Sequence, residues 1–245
     1  MRIAVLADVH GNLTALDAVL AEVEAEGFDL VVSGGDVVAG PQPAECLHRL
    51  GALGERIRWV MGNADREVID AFDGTLPEDP DDVVARAAHF AAARLTFADR
   101  DLLSSFAPTV ATDGALICHG TPRSDTAIIT PRTAPETLAE AVRGVTEPLV
   151  VGGHVHFQFL QRSGATAWVN AGSVGAPYEG APGAYWLALG REAPALRRTL
   201  YDVAAAERAV RGTGYPDADD VVAAITGAVS RAEALDAFSP VAPED

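Results

Sequence analysis

The sequence predicts an α/β fold whose sheet structure begins parallel and turns antiparallel. Three observations support this. Residues 1–61 alternate short apolar runs with helical patterns in a βαβαβ order, which implies parallel strands joined by helical crossovers. The second half pairs strand-like runs across Asp-Gly and Ser-Gly turn signals, the signature of antiparallel hairpins. No internal repeat or long linker divides the 245 residues, so one domain spanning 1–245 is expected.

Residues 2–7, RIAVLA, give the first strand, which ends at Asp8. From about 13 to 26 the apolar residues Leu13, Leu16, Val19, Leu20 and Val23 share one helical face. FDLVVS (28–33) is a second buried strand, 41–50 a short helix and 57–61 a third strand. Residues 66–106 read as a polar-faced helical insertion, interrupted by the Pro/Asp loop LPEDPDD (76–82). Asp113–Gly114 joins the strand-like residues 110–111 and 115–118, and 149–151 is another apolar strand. Residues 157–161 and 167–169 flank Ser163–Gly164, and 185–189 and 196–200 make a third pair. The core therefore covers about 1–200. A helical extension follows at about 202–238, broken at GTGYPD (212–217), and the terminal SPVAPED is expected to fray.

The formal charge is −17, and every one of the 18 Lys/Arg residues is Arg. Such a balance disfavours broad binding to nucleic acid or to anionic membranes. It leaves room for a small anionic substrate at a metal centre, where local cations dominate. Two cysteines, Cys46 and Cys118, are too few for a disulfide framework and fit a reduced, cytoplasmic compartment. No apolar run reaches the ~18–20 residues of a membrane span. The N-terminal apolar stretch is too short for a signal peptide and is interrupted by Asp8.

The polar residues fall in a pattern on this map. Asp8 and His10 follow the first strand, Asp36 the second, and Asn63 and Asp65 the third. His119 follows the strand ending at Cys118, and His154 and His156 the strand ending at Val151. In α/β sheets, sites assemble at the carboxyl ends of parallel strands. Glycines at 11, 34, 35, 62, 120, 152 and 153 flank these positions, where backbone must turn sharply or approach a ligand. Singly, each motif reads as a helix cap, a turn residue or a satisfied histidine. Jointly, independent caps and turns give no reason for carboxylates, an amide and four of the six histidines to recur at successive strand ends.

Together, DVH (8–10), GD (35–36), GNAD (62–65), HG (119–120) and GHVH (153–156) resemble the signature of the calcineurin-like metallophosphoesterases, over Met1 to about Leu200. NAGSVGAPYEG (170–180) resembles the Asn-x-Gly-Ser loop of the smaller bacterial members. The resemblance implies two mixed β-sheets packed face to face with helices outside, a four-layer αββα sandwich. It implies one metal held by Asp8, His10 and His156, another by Asn63, His119 and His154, and Asp36 bridging them. Imidazole nitrogen mixed with carboxylate or amide oxygen suits Mn, Fe, Co, Ni or Zn, with Mn²⁺ the expected activator. Two such ions, ~3.5–4 Å apart, acidify a shared water and clamp an in-line displacement of a phosphoester without a phosphoenzyme. The implied substrate is a phosphodiester or a small phosphorylated compound. Oligomeric state is not legible.

One position departs from the family pattern. Where many members carry a His that neutralises the leaving oxygen, this chain has Ala64, although Asp65, the residue that would orient the His, is present. General acid catalysis is typically worth ~10²–10⁴-fold, so reduced or redirected activity is expected. The smaller bacterial relatives often lack this His as well. Arg123, after HGTP, is the substrate-binding candidate, ahead of Arg66. His48 and His89 read as helix-surface residues, Cys46 and Cys118 as small core residues, and Trp59, Trp168 and Trp186 as packing. Asn170 and Ser173 read equally as site rim or turn. The competing reading is a scaffold that keeps the fold without turnover, as in a retromer subunit of this family. Such a retired enzyme should have lost metal ligands, and here all seven positions remain ligand-competent. Substrate choice is assigned to the insertion, the 123–135 loop and the C-terminal helices.

Overall fold

All four residues of β1 (Ile3–Leu6) are buried, as in a strand covered on both faces. Its side chains alternate between two cores. Ile3 and Val5 meet Ile117, Val151, Val169 and Leu187 in a layer between two sheets. Ala4 and Leu6 point the other way, beneath Leu16 and Leu20 of α1 (Leu13–Ala25) and Leu47 of α2 (Pro43–Gly51). The computed structural model describes residues 1–190 and 192–238.

The first sheet has the order β10 (Ala195–Thr199), β9 (Ala184–Leu189), β1, β2 (Leu30–Ser33), β3 (Ile57–Trp59). β1, β2 and β3 run parallel, and β9 and β10 add antiparallel strands. The second sheet has the order β4 (Thr109–Thr112), β5 (Ala115–Cys118), β6 (Leu149–Gly152), β8 (Thr166–Asn170), β7 (Phe159–Ser163). Here β5, β6 and β8 are parallel, with β4 and β7 antiparallel at the edges. All three expected hairpins form, and the expected two-sheet sandwich with outer helices is present.

The helical layers extend the sequence reading in three places. The insertion folds as α3 (Asn63–Phe72), α4 (Val83–Ala92) and α5 (Phe97–Ser104). α4 is not polar-faced: it buries Ala85, Ala88 and Ala91 and leaves Val83 and Val84 exposed at its start. α6 (Pro135–Ala141) was not anticipated, although Pro135 at its first turn and Glu136 beside it are start signals. It packs Leu138 on the outer face of the second sheet, against Val150 and Trp168. The tail forms α7 (Val203–Gly212), α8 (Ala218–Ile225) and α9 (Arg231–Ala237), with the expected break at 212–217 and a second one after α8. SPVAPED (239–245) lies outside the described residues. Among the described residues no helix is long and apolar enough to cross a membrane.

Candidate metal centre

The strand-end residues converge at one edge of the sandwich. Asp8, His10 and His156 bring potential ligand atoms within 4.8 Å of one another, and Asp36, His119 and His154 form a second such group. The amide oxygen of Asn63 lies 3.2 Å from His119 Nε2, which adds it to the second group. Asp36 stands between them, with Oδ2 3.2 Å from His119 Nε2 and 3.6 Å from His10 Nε2. The seven residues that the family pattern assigns to metals are therefore brought together.

The backbone pays little heed to ordinary preference here. Among the described residues, five non-glycine residues have positive φ: Asp8, His10, Asp36, His154 and His156, between 42° and 70°. This left-handed region is sparsely used by such residues and is held only where surrounding structure imposes it. The imposing contacts are visible. Asp8 N–H donates to Gly35 O, His10 N–H to Asp36 O, and Gly153 N–H to His119 O, so adjacent loops hold one another. Gly62 allows one such close approach: a Cβ there would lie 2.1 Å from Asp36 Oδ1.

Three imidazoles are oriented through their second nitrogen. Nδ1 of His10 reaches Ala39 O (2.8 Å), that of His119 Gly34 O (2.9 Å), and that of His156 Ala176 O (2.7 Å). Donating at Nδ1 leaves the Nε2 lone pair for a metal. The Nε2 atoms of His10 and His156 lie 3.1 Å apart. Ligands ~2.0–2.1 Å from one ion can stand at that separation. The donor set thus fits divalent transition metals, with Asp8, His10 and His156 able to hold one ion and Asn63, His119 and His154 another, and with Asp36 placed to share both.

The electrostatics agree. Burial alone would raise both Asp8 and Asp36, but the imidazoles of His156 and His119 respectively outweigh it and hold both carboxyls below their usual range. Burial would lower His119, yet the Asp36 carboxylate drives it up to about 10; His156 is raised by Asp8 in the same way. His10 and His154 are lowered, by burial and then by the neighbouring imidazoles His156 and His119. The carboxylates and imidazoles thus favour one another's charged forms, and because a ligating imidazole is neutral, metal binding would be linked to proton release.

Other sequence candidates fall differently. Asp65 is fully buried behind the centre, not in it: its carboxylate accepts from Val37 N–H (2.8 Å), Val38 N–H (3.1 Å) and Gly62 N–H (3.4 Å). Burial and the Asp36 charge push it up to about 7, against those N–H donors. It clasps the Asp36 loop to the start of α3. Arg123 turns away: its guanidinium donates to the Glu140 and Arg143 carbonyls near the end of α6. Arg66 is held by Asp125 (2.8 Å), His48 by Asp99 (2.6 Å), and His89 by the Leu76 carbonyl (3.1 Å). Cys46 and Cys118 are buried free thiols. Trp168 and Trp186 are fully buried and Trp59 stacks on Phe106, so all three pack. Ser173 and Asn170 are buried supports: Ser173 Oγ donates to Asp8 O (2.7 Å) and Asn170 Nδ2 to Gly153 O.

A cleft of about 290 Å³ opens on the centre, with His10, Asp36, Asn63, His154 and His156 in its floor. Ala64 lines it too, while its N–H donates to Asp36 Oδ1 (2.9 Å). The walls come from α4 and α8, and not from the 123–135 loop. Two residues here escaped the sequence reading. Tyr178 stacks on His156 with ring centroids 4.7 Å apart, and its place in the PYEG stretch carried no chemical signal. Glu67 lines the cleft and lies 3.5 Å from the Asn63 amide; its spacing four residues after Asn63 on α3 could have revealed it.

Residues 1–190 match the family described as the calcineurin-like phosphoesterase superfamily domain. The chain belongs to that superfamily. A metallophosphoesterase from Sphaerobacter thermophilus is similar in structure, with a TM-score of 0.76 and 28% identity over 93% of this chain and 99% of that one. A hypothetical protein from Pyrococcus horikoshii shares the fold, with a TM-score of 0.78 at 18% identity over 92% and 97% of the two chains. Among curated relatives, a symmetrical bis(5'-nucleosyl)-tetraphosphatase from Cronobacter sakazakii is 38% identical over 81 residues. That match covers 32% of this chain and only 29% of the relative's length.

Proposed function

We propose that this superfamily member is a dinuclear metal-dependent phosphoesterase, hydrolysing a phosphodiester or phosphomonoester. The observation that carries the reading is the shared aim of seven ligand-competent side chains, three with Nδ1 committed to backbone carbonyls so that Nε2 faces the centre. A scaffold released from catalysis has no reason to keep that set or the five strained backbone positions beneath it. Asp8, His10 and His156 would hold one ion, Asn63, His119 and His154 the other, and Asp36 both. Mn²⁺ is the ion expected to activate best, and the two reduced thiols favour a cytoplasmic setting.

Two ions bound there supply an acidified water and neutralise phosphoryl charge for in-line displacement. The chain's own residues do the rest. Asp36 and Asp8 fix negative charge in a buried setting, and the backbone carbonyls hold the imidazole rings in place. Ala64 offers the leaving oxygen no proton. That proton must come from water or from the cleft wall, so rates should fall steeply as leaving-group pKa rises.

The test is metal-stripped protein with Mn²⁺, Ni²⁺, Co²⁺, Zn²⁺ or Mg²⁺ restored, assayed on bis-p-nitrophenyl phosphate and p-nitrophenyl phosphate. Metal-dependent turnover that Asp36→Asn loses is the expected result. Bound metal with no turnover on any ester would sink the reading, and a flat leaving-group dependence would sink the role given to Ala64.

A further inference from the structure

Beyond its metal-facing floor, the cleft is lined by apolar side chains with two carboxylates among them. Val83 and Val84, at the start of α4, are 48% and 44% exposed and line the cleft. Val221 of α8 and the rings of Tyr178 and Tyr215 continue the apolar surface. Glu67 and Asp220 add negative charge. Among the described residues no arginine lines the cleft, and the chain has no lysine. The arginines on the helices beside it are already engaged: Arg66 by Asp125, and Arg86 of α4 by Asp217 just before α8. The phenyl ring of Phe90 meets Tyr215 edge-on, with centroids 5.0 Å apart, so α4 and the segment leading into α8 form one wall.

We infer that this cleft selects phosphate esters with a single phosphorus centre joined to one compact apolar or aromatic group. It disfavours chains of phosphates and additional anionic groups. The inference rests on the phosphoesterase reading and deepens it. The phosphoryl group belongs over the ligand cluster, where bound cations would meet it. Each further phosphate would lie in a wall that offers no guanidinium and two carboxylates. A polyphosphate chain normally needs Arg, Lys or a nest of N–H groups at each step. An apolar ring, in contrast, finds the exposed side chains of Val83 and Val84 and the half-buried rings of Tyr178 and Tyr215. The volume of about 290 Å³ stands at the small end of ligand pockets, which run to roughly 1,000 Å³. It suits one ring rather than two nucleosides. The tetraphosphatase name of the partial relatives therefore does not carry over by way of this cleft.

The test uses non-hydrolysable probes and Mn²⁺-loaded full-length protein, read by titration calorimetry beside turnover of p-nitrophenyl phosphate and bis-p-nitrophenyl phosphate. Phenylphosphonate should bind at least ten-fold tighter than methylphosphonate, and phosphonoacetate, with its extra carboxylate, more weakly than either. Val84→Asp should erase most of the phenyl advantage, and Asp220→Asn should improve phosphonoacetate binding. Equal affinity for phenylphosphonate and methylphosphonate, or phosphonoacetate as the tightest ligand, would overturn the inference. If either ester is turned over in that case, the phosphoesterase reading survives alone. If the phenyl preference appears without turnover of any ester, the recess stands and the catalytic reading falls. If no probe binds, both are overturned.

Discussion

Gly62→Ala isolates the geometry of the shared carboxylate. Gly62 has φ −94° and ψ 162°, an extended conformation that alanine adopts freely, so the substitution adds no backbone strain. Its cost is steric. The new Cβ would stand 2.1 Å from Asp36 Oδ1 and 2.3 Å from Asp36 N. To restore ordinary contact, the carboxylate must retreat by about 1 Å, whereas metal–ligand distances tolerate only about ±0.2 Å. The retreat also strains the Ala64 N–H bond to the same oxygen (2.9 Å) and the loop that Asp65 clasps. Disturbing support around a ligand typically costs about 10–100-fold in metal affinity, and moving the ligand itself should reach the upper end. Metal titration against a competing chelator measures this, with circular dichroism to verify the fold. Gly51→Ala is the control, since nothing lies within 4 Å of a Cβ at that helical position. Wild-type affinity for both ions in Gly62→Ala would refute the placement of Asp36 between the two groups.

Asp65→Ala should leave the buried Val37 and Val38 N–H groups unpaired, at about 1–3 kcal/mol for each in urea denaturation. Asp65→Asn, which keeps an acceptor oxygen, should lose much less, and equal losses would count against the clasp role. Ser173→Ala removes the donor to Asp8 O and the acceptor for Ala176 N–H, and should cost about 1–3 kcal/mol while weakening metal binding. An unchanged metal affinity would show that Asp8 does not depend on that brace. Asp99 closes the capping box of α5 with Thr96 and meets His48. Burial would raise its carboxyl, but the Thr96 hydrogen bonds and then His48 hold it below the usual value. Because the folded-state pKa is the lower one, its stabilisation is complete above the unfolded value of ~3.9 and is lost as pH falls through the folded value. Asp99→Ala should therefore cost about 1–2 kcal/mol at neutral pH, with the gap to wild type closing in denaturation curves below pH 4; a pH-independent gap would contradict the assignment.

The sequence by itself determined the succession of strands and helices and the chemical kinds of the ligands. Both are local properties. A strand buried on two faces must read as a continuous apolar run, as IAVL does, and a site built at strand ends must place its donors just after such runs, as Asp8, Asp36 and His119 stand. Hairpins were legible because Asp113–Gly114 and Ser163–Gly164 carry their own turn chemistry. α6 was hidden because its short run has a weak apolar period, and its burial of Leu138 depends on a sheet formed by distant segments. Tertiary structure alone decided which nitrogen of each imidazole faces the centre, because the acceptors are backbone carbonyls of Gly34, Ala39 and Ala176, which no side chain announces. It turned Arg123 toward the end of α6 and placed Asp65 behind the Asp36 loop, two orientations set by packing rather than by position beside a motif. The cleft was equally beyond the sequence. Its walls join α4 to α8, and only the folded chain brings Val84 and Asp220 into one cleft.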